Sequence, residues 1–196
     1  SNYATNNVAN NLTSKQSISV TEKQAQDKSV DLDGTAETFV EKLKPYAQKA
    51  AALLGIQPEA LLAQAALETG WGKSQMKMAN GQPSYNLFGI KADSRWEGNQ
   101  ANVSTLEFRD GIAKKERANF RAYESYEDSF KDYVNFIQDN PRYKKALTQV
   151  DDPSAYFHAI QQAGYATDPQ YANKILSVMG KDEITSAYAE NQQTVS

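Results

Sequence analysis

The chain has no cysteine and a single histidine, His158. A disulfide framework, a thiolate nucleophile and a cysteine-ligated zinc are thereby excluded, and one imidazole cannot build a clustered histidine site. A Ser-His-Asp mechanism would have to run through His158, which sits among Tyr156, Phe157 and Ile160 in an amphipathic pattern and reads as a surface or packing residue. Long hydrophobic runs are also missing. No stretch approaches the roughly 20 apolar residues that span a bilayer, and the first residues lack the basic-then-apolar order of a secretory signal. An excess of either charge is missing too. A net charge of -3 and a pI near 5.3 leave no electrostatic footprint for nucleic acid. No glycine-rich phosphate loop is present, and nothing in the sequence asks for a metal or another cofactor.

What is present is enough for one globular domain: 196 residues, 40% hydrophobic and 23% charged. Residues 1–34 are rich in Asn, Ser, Thr, Gln and Asp and carry little periodic apolar pattern, as expected of a flexible polar linker or arm. Residues 181–196 read as a polar C-terminal tail, which places the folded unit at 35–180. Inside it, Phe39, Leu43, Tyr46 and Ala50 recur at helical spacing, with Pro45 expected to kink or divide that helix. A second helix starts at Pro58 and is apolar on nearly every side. Between Asn86 and Tyr123 the pattern changes to extended runs flanking Asp110-Gly111, a hairpin signal. Helical patterning resumes with Ser125 as a cap, then at Asp152-Pro153 and at Pro169. The expected fold class is α+β and mostly helical, a helical lobe with a small β-hairpin lobe flanking a cleft.

Glu68 is the residue that local physics singles out. It ends the apolar helix in Ala65-Ala66-Leu67-Glu68-Thr69-Gly70-Trp71-Gly72, within roughly 60° of Leu61, Gln64 and Ala65, and Gly70 is placed to terminate the helix. Burial and the negative helix end both disfavour its ionised form. A carboxylic acid that keeps its proton near neutral pH suits proton donation to a glycosidic oxygen; the alternative is a structural ion pair at the core's edge. Glu107, among alternating residues near the hairpin turn, is a second candidate, against a cross-strand pairing with Lys114, Lys115 or Arg117. Glu97, beside Trp96, competes with it. Saccharide rings stack on aromatics, which makes Trp71, Tyr85, Phe88, Trp96, Tyr165 and Tyr171 candidate substrate contacts or else core packing. Asn86 offers an amide to substrate, or to the backbone of its own turn.

Four ordered segments carry a family resemblance: Leu62–Gly72, Asn86-Leu87-Phe88-Gly89-Ile90-Lys91, Phe120-Arg121-Ala122-Tyr123 and Ala163-Gly164-Tyr165-Ala166-Thr167-Asp168. Together they resemble glycoside hydrolase family 73, over about residues 35 to 180. The resemblance implies a lysozyme-like helical fold with a small β-lobe and an endo-β-N-acetylglucosaminidase acting on peptidoglycan glycan strands. It further implies Glu68 as general acid, with Glu107 and Tyr165 as its catalytic companions. The Thr105-Leu106-Glu107-Phe108 segment has phenylalanine where the family often has tyrosine, which leaves the carboxylate intact. Members of this kind open the cell wall for the flagellar rod. That implies a periplasmic location reached through the flagellar export apparatus, and rod-protein partners bound by an N-terminal domain not seen in this sequence. Lytic transglycosylase and non-catalytic wall-binding readings stand as alternatives.

Overall fold

Helix α1, Ala36–Leu54, begins where the Thr35 side chain accepts a hydrogen bond from the Thr38 amide and ends at Gly55 in the left-handed region. The structure is a computed structural model, and it describes residues 31–193. Pro45 lies inside α1 without dividing it. Its position is solvent-exposed, so the carbonyl its ring leaves unpaired can be hydrated, while Leu43 and Ala47 continue the buried stripe on the other face. Helix α2, Pro58–Thr69, buries residues all round, from Ala60 through Ala66. It packs between α1 and the later helix α6, Tyr171–Met179. The central position of α2 follows from its composition: a helix with no polar face has to be enclosed.

Strands β1, Gln100–Arg109, and β2, Ile112–Arg121, form a two-stranded antiparallel sheet in continuous register from Gln100 opposite Arg121 to Arg109 opposite Ile112. Asp110 and Gly111 both have positive φ, 53° and 78°, as a two-residue type I′ turn requires. Along β1 the less exposed positions are Ala101, Val103, Thr105 and Glu107, so the period of two puts Glu107 on the face turned toward the body. The hairpin base joins the body through Arg121 N–H to the Ile90 carbonyl at 3.0 Å and Ala92 N–H to the Asn119 carbonyl at 2.8 Å.

Helix α3, Tyr126–Asp139, is capped by Ser125, and Phe130, Tyr133, Val134 and Ile137 form its buried stripe against α1. A 3-10 turn, Pro141–Tyr143, and the short α4, Lys144–Leu147, lead to α5, Pro153–Gln162, which Asp152 caps, and on to α6. Tyr156, Phe157, Ile160 and Ile175 complete the core with Leu61 and Leu62, each fully buried. Burying a side chain of this size contributes about 1.5–3 kcal/mol. His158 is half-buried on α5, its Nδ1 2.8 Å from the Ser154 carbonyl.

Two expectations at the ends of the chain meet the structure differently. The last helix, α7, Asp182–Gln193, occupies most of the stretch expected as a polar tail. One fully buried residue, Ile184, anchors it, and Lys44 of α1 donates to the Ala187 carbonyl at 2.7 Å and lies over the Tyr188 ring. With so few apolar side chains its periodicity is too sparse to read from sequence. Of the polar segment expected over 1–34, residues 1–30 lie outside the described residues. Leu32 packs over Gly72, where a Cβ would come within 2.9 Å of its Cδ1, and Asp33 accepts from the Thr35 amide at 2.9 Å. Among the described residues no helix is long and apolar enough to cross a membrane.

Candidate active site

A cleft of about 580 Å³ runs between the hairpin and the helical body, and both Glu68 and Glu107 line it. Glu68 reaches it because α2 stops one residue later. Gly70 and Trp71 take successive left-handed conformations, φ 55° and 58°, and both amides return to the Ala66 carbonyl. The Glu68 carboxyl lies against Gly89, where an added Cβ would sit 2.7 Å from Oε2. A side chain at position 89 would occupy the space the carboxyl needs, and φ +64° there favours glycine independently.

Burial is the largest influence on Glu68 and raises its pKa. A hydrogen bond from Tyr171 works the other way, the negative charge of Glu107 adds to the rise, and the carboxyl is pushed up to about 7. Glu107 is 7% exposed, and its burial also acts upward. Here the opposing contributions win. Lys91 Nζ lies 2.8 Å from Oε1, the Thr167 hydroxyl donates to Oε2 at 2.6 Å, and the charges of Lys91 and Arg109 hold the carboxyl below its usual range. The same Thr167 Oγ1 accepts from the Phe108 amide at 2.9 Å, which fixes the strand as well as the carboxylate. One cleft therefore holds one carboxyl whose pKa is raised to about 7 and one whose pKa is lowered. A general acid paired with a fixed anion requires such divergence.

Tyr165 and Tyr171 also line the cleft, their rings stacked at 5.7 Å and 22°. The Tyr165 hydroxyl donates to the Phe88 carbonyl at 2.5 Å, which pins the backbone just before Gly89. The remaining sequence candidates lie elsewhere. Trp71 packs edge-on against Phe39 at 5.9 Å, and Tyr85 does the same against Tyr126 at 4.8 Å. Phe88 is fully buried and stacked on Tyr133. Trp96 borders a separate cavity of about 440 Å³, its indole N–H given to the Asn99 carbonyl and its ring covered by Arg121. Asn86 is buried, its amide nitrogen donating to the Ile90 and Arg121 carbonyls at 2.9 and 2.8 Å and its oxygen accepting from the Phe88 and Ile90 amides. It organises the loop that carries Gly89 and Lys91, as the turn-backbone alternative requires. Glu97 is exposed and outside the cleft lining.

Lys91, Thr167, Gly89 and Gln64 complete the site without having been singled out from sequence. Each stands within a segment that sequence reading had marked. The available signals were a cation directly after Gly89-Ile90, a hydroxyl two residues past Tyr165, and one amide in the otherwise apolar run Leu61–Leu67. Glu107 faces Lys114 in the strand register, yet its ion pair is with Lys91 rather than across the hairpin.

A mostly helical body, a hairpin lobe and two carboxyls whose pKa values are pushed apart in one cleft are the layout of a glycoside hydrolase. The family model described as mannosyl-glycoprotein endo-beta-N-acetylglucosaminidase matches residues 44–183, and the chain belongs to this glucosaminidase family. It is 54% identical over 147 residues to the peptidoglycan hydrolase FlgJ of Vibrio parahaemolyticus serotype O3:K6, covering 75% of this chain and 47% of that protein. Among solved structures, a peptidoglycan hydrolase mutant from Sphingomonas sp. A1 superposes with a TM-score of 0.73 at 44% identity, covering 79% of this chain and 99% of that one. The glycoside hydrolase domain of Salmonella typhimurium FlgJ gives 0.61 at 37% identity, covering 82% and 96%. The chain spans about half the length of the curated relatives it matches.

Proposed function

We propose that this domain is an endo-β-N-acetylglucosaminidase that hydrolyses peptidoglycan glycan strands, with Glu68 as the general acid. The observation that carries the reading is the divergence of the two carboxyls: Glu68 raised to about 7 by burial, Glu107 held ionised by Lys91 and Thr167 across the same cleft. Glu68 donates its proton to the glycosidic oxygen as the bond to the sugar carbon lengthens, and positive charge develops on an oxocarbenium-like ring. Glu107 serves best as the fixed anion facing that charge. Both its oxygens are already engaged and its basicity is lowered, which suits electrostatic stabilisation more than proton abstraction. Tyr165 keeps the Phe88-Gly89 backbone against Glu68 and supplies one cleft wall.

The substrate assignment rests on the relatives named as peptidoglycan hydrolases, 54% identical in the matched region of one and 44% in the other. In the biological setting implied by the sequence resemblance, the enzyme works in the periplasm and clears wall mesh for the flagellar rod, whose proteins would bind a further domain of the parent chain. The test is Glu68→Gln assayed on purified peptidoglycan with mass analysis of the products. The variant is expected to fold and to release no new sugar ends, while the wild type yields reducing N-acetylglucosamine ends. Full activity in the variant would overturn the acid assignment, and 1,6-anhydro ends from the wild type would make the domain a transglycosylase.

A further inference from the structure

Behind Glu68 lies a polar chain running into the core. Gln64, one turn earlier on α2, is fully buried, and its amide nitrogen donates to the Tyr171 hydroxyl at 3.0 Å. Deeper in the core the Tyr133 hydroxyl is 2.6 Å from that of Tyr156. Gln64 Oε1 is buried with no hydrogen-bond partner in the structure. A helix so thoroughly apolar would be better served by leucine or methionine at that position, because an orphaned buried acceptor is destabilising. Tyr171, only 4% exposed, lines the cleft together with Glu68, and its hydroxyl lowers the pKa of that carboxyl against the pull of burial.

We propose that Gln64 and Tyr171 form a directional strut that positions the Glu68 carboxyl and stabilises the charge left on it when its proton departs. The proposal rests on Glu68 being the acid. Its direction comes from donor count. Gln64 donates to the phenol oxygen, so the phenol's own proton is free for Glu68. With Tyr171 donating to one carboxyl oxygen, the acid proton occupies the other and is available to the cleft. Once that proton has gone, the phenol donates to an anion, and the bond becomes charge-assisted and stronger. An interaction that strengthens along the reaction raises kcat rather than substrate affinity. The titratable groups facing Glu68 are Tyr171 from α6, Tyr165 from the loop before it and Glu107 from β1. Of these, Tyr171 is the one hydrogen-bonded to Gln64. Tyr171 is thus a positioning residue rather than a sugar-stacking platform.

The experiment compares Tyr171→Phe, Gln64→Met and the double variant for kcat, KM, the pH profile of kcat and thermal melting, with peptidoglycan as substrate. Tyr171→Phe keeps the ring and removes the donor. Its kcat is expected to fall about tenfold or more with KM within about twofold, and the alkaline limb to move up by about one pH unit. Gln64→Met is expected to shift both in the same direction by less, with melting unchanged or higher because the orphaned acceptor is gone. The double variant should match Tyr171→Phe alone, since the strut acts in series. A wild-type kcat and pH profile in Tyr171→Phe, with or without lowered melting, would overturn the strut. Additive losses in the double variant would do the same. If Tyr171→Phe fails to fold, Gln64→Met alone decides, a wild-type profile counting against the proposal. Inactivity of Glu68→Gln beside wild-type behaviour in these variants would refute the strut and leave the acid assignment standing.

Discussion

Gly89→Ala puts the smallest possible side chain where the Glu68 carboxyl now lies. The added Cβ would stand 2.7 Å from Oε2 and 3.2 Å from Cδ, whereas ordinary contact begins at 3.4 Å. The carboxyl must therefore retreat by about 0.7 Å, and a displacement approaching 1 Å in a reacting group can reduce turnover by roughly 10²-fold. Separately, alanine at φ +64° brings a backbone penalty of about 1–2 kcal/mol. The two effects are separable because Gly111→Ala carries only the second: φ is +78° there and nothing lies within 4 Å of the added Cβ. In thermal melts both variants should drop by similar amounts, about 2–4 °C per kcal/mol for a domain of this size. In reducing-end release from purified peptidoglycan, Gly111→Ala should keep wild-type kcat per folded molecule, and Gly89→Ala should lose most of it. A Gly89→Ala enzyme within about twofold of wild type would refute the claim that this close approach sets the position of the acid.

Turnover should decline as pH rises through about 7, where Glu68 loses its proton, and a kcat profile still climbing at pH 9 would contradict that role. The same raised pKa is a stability statement. The folded-state value lies above the ordinary 4.5, so the native fold is destabilised progressively as pH climbs from about 4.5 to 7. The full effect is on the order of 3 kcal/mol. Glu68→Gln, which carries no charge, should accordingly melt higher than wild type above pH 7 and no higher near pH 4. Asn86→Ala should lower stability by about 2–4 kcal/mol in urea unfolding, because it strips partners from two buried carbonyls and two amides. Its kcat per folded molecule should stay near wild type, where a substrate-binding Asn86 would show a raised KM.

Glu68 was legible because its signals are local: an enclosed helix, a glycine stop and a carboxylate in the last turn. Glu107 was partly legible, since a period of two fixes its face. Its partners were not, as Lys91 comes from a loop and Thr167 from 60 residues downstream. The aromatics show the same limit. Sequence identifies Trp71 as unusual, yet its pairing with Phe39 is a tertiary contact that no spacing encodes. Tyr171 was offered only as one aromatic candidate among several, and its role depends on Gln64, reached only when α6 packs against α2. Helix α7 went unread because one buried isoleucine and a lysine reaching over from α1 secure it, not an apolar stripe.

The bond from Thr167 to Glu107 has a mechanical side. A lone two-stranded hairpin is marginal in water, and beyond its base this one is fastened to the helical body by the Thr167 hydroxyl and the Lys91 ammonium gripping a single carboxylate. Part of the clasp of the lobe and the proposed anion of the site are the same group. Acid strong enough to protonate Glu107 therefore weakens the hold on the lobe and silences the chemistry in one event. Activity and hairpin order should vanish together on acidification and return together on neutralisation.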